Sequence, residues 1–192
     1  MRIYIVRRGD SLYSIARANG VTVRTLAELN ELSDPARLSV GQAIVIPDMS
    51  RPVSETEVNG YAYPNISAEQ LGAVLPQLTY LCPFSWQIDE TGGITPIDDE
   101  SMISAAWENG CAPLLTLTNL GVNGGFSSGI AHSIFTDAAA QDTLVRNTLS
   151  VLESRGYYGV NLNIEYVQPY DREGYNAFLK RMSGTLHANG YM

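Results

Sequence analysis

The chain of 192 residues has a formal net charge of −8, is 45% hydrophobic and 17% charged, and so has the balance of a folded globular protein rather than a disordered or fibrous one. That acidity disfavours nucleic acid and anionic membrane surfaces as partners, since either polyanion would repel it. No apolar run is long enough to span a bilayer.

The amino terminus, Met1-Arg2-Ile3-Tyr4-Ile5-Val6-Arg7-Arg8, is too short and too interrupted for a signal peptide. Cytoplasmic synthesis with later deposition is therefore expected, unless a leader has been removed. Residues 3–6 read as a strand. Gly9-Asp10-Ser11 then makes a turn that supplies a helix N-cap, and Leu12, Ile15 and Ala16 follow at helical spacing. Thr22 starts a second short helix over 23–29, a loop runs over 30–39, and a closing strand covers 42–46. Pro47-Asp48-Met49-Ser50-Arg51-Pro52 has linker character. The expected division is a module at 1–48, a linker at 49–56 and a second domain at 57–192.

This β-α-α-β order closely resembles the LysM module, which binds glycans containing N-acetylglucosamine. The likeness runs through Tyr4-Ile5-Val6, Gly9-Asp10-Ser11-Leu12, Ser14-Ile15-Ala16, Leu29-Asn30, Leu38 and Val40-Gly41-Gln42 to Ile46-Pro47. The resemblance implies a ligand groove between the loop at Gly9, Asp10, Ser11 and Leu12 and the loop from Asn30 to Leu38, whose backbone would hydrogen-bond the sugar acetamido group. Each residue also has a structural reading: Asp10 or Ser11 as a cap, Asn30 as a turn residue, Leu12 and Leu38 as core.

Beyond residue 57 strands and helices alternate, the pattern of a parallel sheet with helical crossovers. Strands are expected at 58–63, 78–84, 112–118 and 158–166, and helices at 68–75, 99–109, 137–155 and 172–188. Ser67 and Thr136 are suited to cap the first and third helices. The glycine-rich run at 121–129 lacks the Gly-Lys-Ser/Thr ending of a phosphate loop, which argues against nucleotide binding. His132 and His187 read as isolated surface residues without a nucleophile partner. Cys82 and Cys111 permit at most one bridge, read as buried free thiols and have no metal-ligand spacing, so no metal or cofactor is expected.

The most informative stretch is Tyr157-Tyr158-Gly159-Val160-Asn161-Leu162-Asn163-Ile164-Glu165-Tyr166. In a strand, alternate side chains face opposite ways. Tyr158, Val160, Leu162 and Ile164 then form one apolar face, and Gly159, Asn161, Asn163 and Glu165 the other. A polar face leading to a carboxyl group at the strand's carboxyl end is where α/β barrels put their chemistry.

This strand resembles the fourth-strand signature of family 18 glycoside hydrolases, Asp-Gly-x-Asp-x-Asp-x-Glu. Gly159 and Glu165 match; Tyr158, Asn161 and Asn163 stand at the three aspartate positions. Val58-Asn59-Gly60-Tyr61-Ala62-Tyr63-Pro64 resembles the opening strand of LysM-bearing spore-cortex glycosylases of that family, whereas Thr116-Leu117-Thr118-Asn119 departs from its Ser-Gly-Gly third-strand pattern. The fold expected by resemblance is α/β: a LysM module plus the first four β/α units of a TIM (β/α)8 barrel. Because a whole barrel takes about 250 residues, the chain is expected to be a truncated portion of a longer protein.

The resemblance implies substrate-assisted hydrolysis of an N-acetylhexosamine glycoside. Glu165 would be general acid and then base, Asn163 would orient the acetamido group, and Asn161 would lie behind it on the same face. Tyr63, Trp86 and Tyr166, with Tyr170 beyond, could stack on sugar rings or serve as core or rim packing. The implied partner is peptidoglycan or a chitin-type N-acetylglucosamine polymer, at the cell wall or in the spore cortex or coat. The alternatives are a non-catalytic cell-wall lectin and a LysM-anchored structural protein of the spore coat.

Overall fold

A computed structural model describes residues 2–48 and 56–192. Except for Thr56, the expected linker lies outside the described residues. The chain splits into two units, Met1–Glu55 and Thr56–Met192.

In the first unit, strands β1 (Arg2–Ile5) and β2 (Ala43–Ile46) pair antiparallel, with Ile3 opposite Val45. Helix α1 (Leu12–Ala18) starts at Ser11, whose hydroxyl accepts the Ser14 amide while the Ser14 hydroxyl accepts the Ser11 amide. This reciprocal capping box satisfies two donors that the first helical turn leaves open. Thr22 caps α2 (Val23–Leu29) through the Thr25 amide. Leu12, Ile15 and Ala16 of α1 and Leu26 of α2 are buried against Ile44 and Ile46, which share one face of β2 by their two-residue spacing.

The second unit has a six-stranded sheet. Its parallel part is β3 (Asn59–Ala62), β4 (Tyr80–Pro83), β7 (Ala112–Thr118) and β8 (Gly159–Asn163). Between β4 and β7 the chain forms an antiparallel hairpin, β5 (Trp86–Ile88) with β6 (Ile94–Thr95), and β5 also pairs parallel with the carboxyl end of β7. The crossovers carry α3 (Ala68–Val74), α4 (Glu100–Glu108), and the pair α5 (Ser128–Thr136) and α6 (Ala138–Arg155); α7 (Arg172–Ala188) follows β8. The architecture is mixed α/β, and among the described residues the sheet does not close into a barrel.

Two elements differ from the sequence expectation. No element was expected between the strand at 78–84 and the helix at 99–109, but a hairpin forms there, and Asp89 closes its turn by accepting hydrogen bonds from the Thr91 and Gly93 amides and the Thr91 hydroxyl. Helix α5 was hidden by the glycine-rich run before it; Ser127 caps it through the Ile130 amide. The cap of α6 is Asp137, which accepts from the Ala139 and Ala140 amides, whereas the Thr136 hydroxyl donates back to the His132 carbonyl. Gly156 ends α6 with φ 74°, a left-handed backbone that costs a residue with a Cβ more than glycine.

Strand β7 is buried from Pro113 through Thr118, as a strand covered on both faces must be. The main core joins Leu115 and Leu117 of β7 to Ile134 of α5, Leu144 and Leu152 of α6, and Phe178 and Met182 of α7. Val160, Leu162 and Ile164 pack against it, as the alternation along β8 requires, while Tyr158 is 44% exposed and stacks on Tyr80.

Candidate active site

The parallel strands end their carboxyl termini around one cleft of about 410 Å³. Tyr61 and Ala62 come from the end of β3 and Tyr63 from the residue after it. Phe84 follows β4, Phe126 sits in the loop after β7, Asn163 is the last residue of β8 and Glu165 lies two residues beyond it. Phe84 is the hub of the aromatic wall: it meets Tyr61 and Tyr63 edge-on, with centroid separations of 6.1 and 5.6 Å. Edge-to-face packing fixes the rings against one another, and both tyrosines remain more than half exposed.

Of the expected catalytic residues, Glu165 and Asn163 line this cleft and Glu165 is exposed. Asn161 lies two residues earlier on the same face, where its side-chain oxygen accepts the Tyr61 hydroxyl at 3.3 Å. Tyr63 is in the cleft wall. Tyr166 is exposed beside Glu165 and packs on Phe126 at 6.4 Å. An acid, an amide two residues before it and an aromatic wall suit a polar ligand with flat apolar faces, the surface character of a pyranose ring.

Trp86 does not belong there. It opens β5 rather than following β4, is 4% exposed, donates its Nε1–H to Asp99 at 2.5 Å and lies under the Arg155 guanidinium. The expectation of sugar stacking at Trp86 is corrected: the hairpin turns the indole into the core. Phe84, Phe126 and Tyr61 were missed as site residues; Phe84 and Tyr61 stand at strand ends, the signal that singled out Tyr63, whereas Phe126 sits in a loop and carried no such signal. His132 was expected to be isolated, but its Nδ1 lies 2.6 Å from Oδ1 of the buried Asp171.

In the first unit, Gly9 and Ser11 are exposed, with Gly9 at φ 90°. The Asp10 carboxylate accepts the Arg7 amide at 2.7 Å and the Tyr4 hydroxyl at 2.8 Å. These two bonds, the backbone one first, hold its carboxyl below the usual carboxylate range. Asn30 is committed to the fold: its amide donates to the Leu26 and Val45 carbonyls and accepts the Val45 N–H. Leu12 is 2% exposed and corrects to a core residue with no surface to offer a ligand, and Leu38 is half-buried against the same core.

Among the described residues no group of three or more His, Cys, Asp or Glu could hold a metal ion, and no helix is long and apolar enough to cross a membrane. Cys82 and Cys111 are free and buried.

Residues 4–47 match the LysM domain family. The whole chain is 32% identical to the cortical fragment-lytic enzyme of Bacillus anthracis, covering 56% of that protein. Among solved structures, the spore cortex-lytic enzyme SleL of Bacillus cereus is 32% identical with a TM-score of 0.67, over 94% of this chain and 42% of that one. A chitinase from Chromobacterium violaceum, 22% identical, shares the fold with a TM-score of 0.63 over 71% of this chain and 44% of its own. The chain spans about half the length of the curated relatives it matches.

Proposed function

From a chain that carries a LysM domain at residues 4–47 followed by a chitinase-like fold, we propose a protein that binds cell-wall glycan containing N-acetylglucosamine and takes part in hydrolysing its glycosidic bonds. The observation that carries this reading is that Glu165 and Asn163 open into one cleft with Tyr61, Tyr63, Phe84 and Phe126. The strands β3, β4, β7 and β8 with their helical crossovers are read as the first four units of a (β/α)8 barrel, whose reactive end is the carboxyl end of its strands. The relatives, a spore cortex-lytic enzyme and a cortical fragment-lytic enzyme, favour peptidoglycan of the spore cortex over chitin as the polymer. Synthesis in the cytoplasm with deposition in the spore fits that site of action.

In this reading Glu165 protonates the glycosidic oxygen as the bond to the leaving sugar breaks, and later takes a proton from the incoming water. The substrate's own acetamido oxygen attacks the anomeric carbon, so the protein supplies no nucleophile. Asn163 orients that acetamido group and accepts a hydrogen bond from it. Tyr61 and Tyr63 offer ring faces to the sugar, and the LysM unit holds the polymer close, raising its effective concentration at the cleft.

The test is release of reducing ends from purified cortex peptidoglycan by a protein of the relatives' full length that contains this chain. Release that disappears in Glu165→Gln is the expected outcome. A folded wild type that binds the glycan and releases nothing supports the second reading, a glycan-binding protein without turnover. That reading draws on Asn161 and Asn163, uncharged side chains at two aspartate positions of the resembling signature. The third reading, a coat protein anchored by LysM, predicts localisation that survives deletion of residues 57–192.

A further inference from the structure

Asn119 follows directly on β7 and is wholly buried, yet its side chain serves no strand of the sheet. Its oxygen accepts the Glu165 amide at 3.0 Å. Its Nδ2 donates to the Glu165 carbonyl at 2.9 Å and to the Ser127 carbonyl at 2.9 Å. Its own carbonyl accepts the Ser127 amide at 2.8 Å. One buried amide thus fixes both backbone polar groups of Glu165 and closes the loop between Leu120 and Ser127.

That loop carries Phe126, which lines the cleft and packs on Tyr166. Tyr166 has φ 57°, a left-handed backbone that costs a residue with a Cβ about 1 kcal/mol or more unless neighbours hold it. The strained residue directly follows the one that Asn119 grips at both backbone groups.

We infer that Asn119 is a positioning residue that sets Glu165 and Phe126 in register across the cleft. Its role in turnover rests on the reading of Glu165 as the acid; its role as a brace does not. An amide suits this place because it both donates twice and accepts, whereas a carboxylate of the same shape only accepts and would face two carbonyl oxygens. The brace also holds the acid's backbone while leaving its side chain free to swing toward a bound sugar. A ligand that seats against Phe126 therefore meets the backbone of Glu165 at a fixed separation.

The test is amide hydrogen exchange, followed by NMR on the isotope-labelled chain, in wild type and Asn119→Asp. Asp keeps an acceptor for the Glu165 amide but sets its charge against the Glu165 and Ser127 carbonyls, so the local opening that admits exchange should quicken at Glu165 and Ser127 by about tenfold or more, with Leu115 and Leu162 unchanged. The second arm titrates the N-acetylglucosamine tetramer and follows the amides of Tyr63 and Phe126. Wild-type shifts at those amides that need about tenfold more tetramer in the variant are the expected result. If Glu165 exchanges at the wild-type rate in Asn119→Asp, or if exchange quickens uniformly through β7 and β8, the brace is overturned. Tetramer that leaves the wild-type Tyr63 and Phe126 amides unmoved overturns the glycan reading of the cleft, while the exchange arm still decides the brace. Should Asn119→Asp fail to fold, Asn119→Ser removes both amide donors without adding a charge, and the same criteria apply.

Discussion

The Tyr61 hydroxyl donates to Asn161 at 3.3 Å, joining β3 to β8, the two outer strands of the parallel set. Neither strand pairs with the other through its backbone, so this side-chain bond reaches across the intervening β4 and β7. It orders the polar face of β8 at the position before Asn163, and holds one wall of the aromatic cleft against the strand that leads to the acid.

Asn163→Asp should raise turnover. The substitution preserves shape and hydrogen-bond acceptance and adds the negative charge that a developing cationic sugar ring requires. A preorganised group of that kind is worth on the order of 10² in rate. Reducing-end release by the full-length protein measures the effect; an unchanged or lower rate would count against substrate-assisted catalysis at this position.

Tyr157→Phe should destabilise the second unit by about 2 kcal/mol, the usual worth of a hydrogen bond to a buried charged group. Asp99 is wholly buried, and its Oδ2 accepts both the Tyr157 hydroxyl and the Trp86 Nε1–H, with the Arg155 guanidinium 3.9 Å from Oδ1. Burial, and then the bond to Asp99, push the Tyr157 hydroxyl far above its ordinary value of 10.0. A raised value means the unfolded chain loses this proton first. The contribution is full below about pH 10 and fades as pH climbs from there toward the folded value. Alkaline unfolding monitored by tyrosinate absorbance should therefore begin at higher pH in Tyr157→Phe relative to its own neutral stability. Parallel alkaline curves for the two proteins would refute the linkage.

The LysM unit should lose stability on acidification through Asp10. Its folded value lies below the ordinary 3.8, because the Arg7 amide and the Tyr4 hydroxyl bond the charged form. The sign follows: the stabilisation is present above the ordinary value and is lost as pH falls through the lower folded one. Amide signals of Leu26 and Ile44, buried in this unit's core, should report unfolding in acid that is weaker in Asp10→Asn than in wild type. Equal acid sensitivity in the two proteins would remove Asp10 as the cause.

What the sequence determined by itself was set by neighbours within a few residues. Ser11, Thr22 and Ser67 each cap a helix by bonding an amide three positions on, and the helix at 172–188 and the strand at 112–118 have the bounds that periodicity predicts. The alternation along β8 likewise put Val160, Leu162 and Ile164 against the core and Asn163 and Glu165 in the cleft. The tertiary structure alone decided the fate of Trp86, since an indole after a strand reads as either a site aromatic or a core residue until Asp99, 13 residues away, takes its N–H. It alone brought Phe84 and Phe126 to the same wall, and it alone joined Asn119 to Glu165 across 46 residues. Caps and periodicity follow from local backbone geometry, whereas a partner tens of residues away is chosen only when strands pair and bury the polar groups that must then be satisfied.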